Sequence, residues 1–111
     1  MSALAESDPE NNIYRRNVGL CHEKFAMAFA RKAADEKLSV AERINNWNEA
    51  VSSYQKTLQT FVELRDRNVL QPRDAGQIDK FTQQIQMCEA LRFLIAYGVQ
   101  EPLTSPIRMA V

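Results

Sequence analysis

Six apolar residues, Ile44, Trp47, Val51, Tyr54, Leu58 and Phe61, follow one another at intervals of three, four, three, four and three. That rhythm matches 3.6 residues per turn and fits no strand, whose faces alternate every second residue. The residues between them are mostly Asn, Glu, Ser, Gln, Lys and Thr, so the spacing predicts an amphipathic helix with one apolar and one wet face. Ser39-Val40-Ala41-Glu42 stands just before it as S-x-x-E, the pattern in which serine and glutamate satisfy each other's backbone N–H groups at a helix start. This helix is expected over 40–68. A chain that contains it must supply something for its apolar face to pack against.

Two further segments carry the same rhythm. Asp8-Pro9-Glu10 suits a helix start: Asp8 as cap, Pro9 where the missing N–H costs nothing, and Glu10 beside the positive end of the dipole. Behind it Tyr14, Val18, Cys21, Phe25 and Ala28 step by four, three, four and three, which predicts a core-facing seam on a helix over 9–37. Gln71-Pro72 interrupts the pattern, and Asp74-Ala75-Gly76-Gln77 reads as a second box-like start. Ile78, Phe81, Ile85, Cys88 and Ile95 then form a third seam over 75–97. Gly98 suits a left-handed closing residue, with Val99 folding back on Leu94.

Short connections favour antiparallel neighbours. The fold class predicted is all-α, an up-down-up three-helix bundle. A helical hairpin completed by dimerisation is the alternative. The chain divides into an acidic N-terminal segment (1–8), a helical bundle domain (9–98) and a Pro-containing C-terminal tail (99–111). At 111 residues it has room for one domain with a core of its own.

Several chemistries lack their residues. His22 is the only histidine; His22-Glu23 begins H-E-x-x-H, but Ala26 stands where the second histidine belongs, and Gly19 stands where E-x-x-H needs its acid. No C-x-x-C occurs. Cys21 and Cys88 both fall on apolar seams, where a thiol is expected to be a free, buried and slow-reacting small hydrophobe. Three glycines in the chain leave no phosphate-cradling loop. The expectation is therefore no catalytic residue, no metal and no cofactor. No apolar run approaches the length of a membrane span, and no signal-like start is seen, so the expected compartment is cytoplasmic.

The charges sum to zero, which disfavours coating of nucleic acid or an anionic membrane. They are unevenly placed. Residues 1–12 hold three acids and no base, while residues 13–37 carry a net +3. A small nucleic-acid-associated regulator using this basic first helix is the alternative function. It is weakened because Arg15, Arg16, Lys24 and Lys32 scatter around the helix axis rather than sharing one stripe. Trp47 and Tyr54 also occupy the Trp and Tyr places in the opening of a tetratricopeptide repeat. Ala50 and Val51 stand where that repeat has Leu and Gly, and the register does not continue, so no repeat is assigned.

The remaining signal is surplus hydrophobicity. Ile13, Leu20 and Met27 recur every seven residues, away from the first seam. Met87, Leu91, Leu94 and Tyr97 face away from the third. Gly19, Ala26, Ala30 and Ala33 form a small-residue strip that would let another helix approach closely. Exposed, the two surplus faces exceed the patch a monomer usually shows. The C-terminal tail, a second copy of the chain or another protein could cover them. These seven residues are the predicted partner-binding set. The predicted function is a non-catalytic protein-interaction module, a helical adaptor, regulator or secretion-type chaperone.

Overall fold

A computed structural model describes residues 9–98. The Asp8 cap, the Val99 closure and the apolar residues of the tail lie outside the described residues. The chain is all-α: α1 (Pro9–Ala33), α2 (Val40–Asp66), a 3-10 turn (Pro72–Asp74), α3 (Gln77–Phe93) and a wider π turn (Leu94–Gly98). The three helices form the bundle that the spacing predicts. α2 is the shared element, packed along both α1 and α3.

The start of α2 is built as the sequence indicates. Glu42 N–H donates to Ser39 Oγ and Ser39 N–H donates to Glu42 Oε1, each at 3.1 Å. Its end uses Asn68 in the left-handed region (φ 63°). Asn68 N–H reaches Arg65 O and Val69 N–H reaches Leu64 O, both at 2.9 Å, the paired bonds of a Schellman closure. Asparagine tolerates that backbone conformation better than most residues, so the chain can reverse here without glycine.

α2 buries more than one stripe. Trp47, Val51, Tyr54 and Phe61 are buried, with Ile44 and Leu58 partly so, as predicted. Ala50, Ser53, Thr57 and Leu64 are buried as well, on a face expected to be wet. That expectation fails because the helix sits between two neighbours. The buried Thr57 hydroxyl is satisfied twice, donating within reach of Ser53 O (3.2 Å) and Gly19 O (3.0 Å). Toward α3 the contact is aromatic: Phe61 and Phe81 meet edge-on with ring centroids 5.2 Å apart. Arg92 donates to Asn48 Oδ1 (2.8 Å) at the far end. Trp47 is buried with its indole N–H unpartnered, so it contributes packing alone.

The α1 seam is the main correction. Tyr14, Val18, Cys21, Phe25 and Ala28 are all exposed rather than in the core. The face that packs on α2 is the small-residue strip: Gly19, Ala26 and Ala33 are buried and Ala30 partly so. The reason is distance. A Cβ placed on Gly19 would lie 2.9 Å from Thr60 Cγ2 and 3.1 Å from Thr60 Cβ, so the two helices approach more closely than any larger residue permits. That approach lets Thr57 reach the Gly19 carbonyl. At the other end Arg43 Nε donates to Ala33 O (2.8 Å), capping α1 from α2. α1 thus ends at Ala33, four residues before the predicted Lys37, and Asp35 Oδ1 takes the Lys37 N–H in the turn that follows.

Asp74 is the second correction. It does not cap α3, which starts after Gly76 with no side-chain cap. Its carboxylate is 2% exposed and binds Arg16 in two places, Nε–Oδ2 at 2.7 Å and Nη2–Oδ1 at 3.1 Å. This fork ties the α2–α3 connection to α1. The bond to Asp74 raises the Arg16 guanidinium above its already high ordinary pKa, against a partial desolvation. Gly98 is the third correction. It belongs to the π turn instead of closing the helix, and no described glycine has positive φ. The continued winding keeps Ile95 against the core.

Two stability measurements follow. Gly19→Val should cost on the order of 3 kcal/mol by overpacking the α1–α2 crossing. Ala28→Val on the exposed side should cost about 0.5 kcal/mol, its helix propensity alone. Urea denaturation of both variants tests whether the small strip is the contact. Asp74→Ala should cost roughly 2–3 kcal/mol, somewhat less than breaking a fully buried pair, because Arg16 keeps partial access to water.

Candidate interaction surface

The packing of α1 and α3 on a common partner leaves them joined to each other chiefly by long side chains. Besides Arg16–Asp74, Lys80 Nζ lies 3.2 Å from Glu23 Oε2. These bridges identify the side of each helix that looks across the cleft. Leu20 and Met27 stand four residues after Arg16 and Glu23, and Ile13 stands three before Arg16, so all three share that side of α1. Met87 follows Lys80 by seven residues, with Leu91 and Leu94 four and seven further on, so they share that side of α3. By helical register, six of the seven predicted residues fall on the sides of α1 and α3 that carry these two ion pairs.

They are not equally available. Ile13, Met27, Met87, Leu91 and Leu94 are exposed, Met87 and Leu94 each at 55%. Leu20 is partly buried and packs against the core, so it supports the wall more than it presents a surface. Tyr97 stands apart from the set. Its ring lies tilted against Phe93 at 4.6 Å between centroids, and Phe93 lies roughly 160° around α3 from Leu91. The Phe93–Tyr97 pair is an exposed aromatic patch of its own. Phe93 was legible in the sequence as the residue one turn before Tyr97.

A second apolar surface runs along the outside of α1. Tyr14 (68% exposed), Val18, Cys21, Phe25 (57% exposed) and Ala28 keep their four-three-four-three spacing but, among the described residues, have no neighbouring element over them. Beside it a groove of about 200 Å³ opens between α1 and α2, lined by Tyr14, Arg15, Val18, Thr60, Glu63 and Leu64. Sequence reasoning assigned this stripe to the core. The signal that could have placed it outside is the glycine–alanine strip on the same helix: only one of the two faces can meet α2, and only small residues permit a close crossing.

The chemistry-bearing residues are dispersed. Among the described residues no group of three or more His, Cys, Asp or Glu side chains is placed to hold a metal ion. Of the cations on α1, Arg16 is engaged by Asp74. No helix among the described residues is long and apolar enough to cross a membrane. Set against models of protein families, curated proteins and solved structures, the chain matches none.

The two cysteines are free and differ in surroundings. Cys88 is buried as predicted; burial pushes its thiol pKa up, and Glu89 adds to this. Cys21 is exposed, contrary to the expectation for a seam residue, because its stripe faces solvent. Burial also pushes up the Tyr54 hydroxyl, with Cys88 and Glu23 contributing.

In dilute solution Cys21 should react with a thiol reagent at the rate of an exposed cysteine. Cys88 should react only on unfolding, and mass mapping of the labelled site checks the order. Cys88 and Tyr54 both favour their protonated forms in the folded chain. Their contribution is complete below the unfolded-state thiol pKa and is lost as pH rises through the folded-state values. The urea midpoint should hold steady from about pH 7 to 8 and decline above about pH 9, less steeply in Cys88→Ala.

Proposed function

We propose that this chain is a non-catalytic protein-interaction module that acts through apolar helix surface. The observation that carries the reading is the apolar rows left in water after all three helices have packed. Met27, Met87, Leu91 and Leu94 border the α1–α3 cleft, and Tyr14, Val18 and Phe25 run along the outside of α1. Single exposed apolar residues are common on proteins, but rows at helical spacing mark surfaces that another helix or strand covers. The unbranched, polarizable methionines on both walls of the cleft suit a surface that adapts to an inserted side chain. The partner class is another protein or a second copy, as expected of a helical adaptor, regulator or chaperone acting in the cytoplasm.

Met87→Glu/Leu94→Glu tests the reading. Both side chains are more than half exposed, so circular dichroism and thermal midpoint should change little. Binding of an apolar fluorescent dye should fall, and proteins captured by the wild-type chain from native lysate should be lost. Retention of every captured protein by the double variant, with Phe25→Glu equally silent, would overturn the interaction reading.

A further inference from the structure

The open side of the bundle and the segment that follows α3 carry complementary patterns. We propose that residues 99–111 fold back along the α1–α3 opening as an extended strap, with Leu103, Ile107, Met109 and Val111 turned into it. This names the occupant of the cleft and rests on the interaction reading, because a partner protein must then displace the strap.

The opening has a floor as well as walls. Phe61 of α2 meets Phe81 of α3 edge-on, and its ring edge lies 3.4 Å from where a Cβ on Gly19 of α1 would stand, so it looks between the two helices. Tyr54, seven residues earlier on the same side of α2, has its hydroxyl influenced by both Cys88 of α3 and Glu23 of α1. Above this buried row the exposed Met27 borders the opening from α1, and Met87, Leu91 and Leu94 border it from α3.

Position, reach and pattern select the occupant. Gly98 ends the π turn that begins at Leu94, so the following residues leave from the rim of the cleft itself. From Gly98 back to the level of Lys80 the α3 wall measures about 27 Å at helical rise. Residues 99–111 can span about 43 Å when extended, enough to reverse direction and run the whole length. Pro102 and Pro106 oppose a helix there. In an extended segment Leu103, Ile107, Met109 and Val111 fall on one face, while Thr104 and Arg108 fall on the other. The segment is thus amphipathic with a period of two, the pattern of a strand with one side to cover. A reversal over the first few residues sets Leu103 beside Leu94 and Leu91, and Ile107 between Met87 and Met27.

The tether decides between this occupant and others. A segment joined to the rim of its site is present there at an effective concentration on the order of millimolar, without any partner being added. A second copy or another protein with the same intrinsic affinity is excluded until its own concentration exceeds that value.

The test uses the full chain. In Cys21→Ser, Met27→Cys and Ile107→Cys place one thiol on the α1 wall and one on the strap, and a short bis-maleimide at about 1 µM protein should join them within one chain. Leu103→Asp should lower that yield by about tenfold or more, the loss of one buried leucine. Leu103→Asp/Ile107→Asp should raise binding of an apolar fluorescent dye several-fold with helicity unchanged, and Met87→Glu/Leu94→Glu in the same chain should cancel the rise. A link that forms only between chains, and only at rising concentration, gives the cleft to a second copy and overturns the proposal. So does dye binding indifferent to Leu103→Asp/Ile107→Asp. If either result comes while Met87→Glu/Leu94→Glu still abolishes capture of proteins from lysate, the strap alone fails and the interaction reading stands.

Discussion

The close crossing of α1 and α2 at Gly19 governs the rest of the structure. Two helices that approach this closely must meet through their smallest residues, and Gly19, Ala26 and Ala33 supply them. The Thr57 hydroxyl then has the Gly19 carbonyl in reach across the gap, besides the Ser53 carbonyl of its own helix. Once α1 commits this face to α2, its larger apolar residues have no place in the core. The exposed stripe of Tyr14, Val18 and Phe25 is the direct result of choosing the tighter of two packings.

α2 answers with two different faces. Toward α1 it offers Ala50, Ser53, Thr57 and Leu64. Toward α3 it offers Phe61, which meets Phe81 edge-on and also reaches Gly19 of α1, in one core cluster with Tyr54, Leu58, Ile85 and Cys88. A helix that serves two neighbours in this way holds them on its own flanks, and α1 and α3 need not pack along each other. The Arg16–Asp74 fork and the Glu23–Lys80 pair bridge the opening at the end where α3 begins. Beyond Lys80 the cleft is bordered by Met27, Met87, Leu91 and Leu94. Among the described residues the fold thus leaves two separate apolar surfaces, one on the open side of the bundle and one on the outer face of α1.

The reading proposed for this chain is recognition through these surfaces. The thiol with the raised pKa is enclosed in the core, and the exposed thiol lies on the apolar stripe of α1.

Much was legible in the sequence because it depends on neighbours along the chain. The Ser39–Glu42 capping box, the break at Pro72, the three helices and the burial of Trp47, Tyr54, Phe61, Phe81 and Cys88 all follow from local spacing and local hydrogen bonds. The exposure of Ile13, Met27, Met87, Leu91 and Leu94 was also legible, since a helix can present only one arc to each neighbour. What spacing could not decide was which arc of α1 faces α2. Both the large stripe and the small strip have helical periodicity, and periodicity carries no information on how near the next helix will come. Asp74 was likewise readable as a cap from its neighbours alone. Its partner Arg16 lies 58 residues earlier in the chain, and only the folded arrangement of α1 against the α2–α3 connection brings that charge to it. Tertiary structure chose between locally equivalent faces and locally equivalent roles, because the deciding quantities were an interhelical distance and a buried charge pair, and neither is encoded within a single turn of helix.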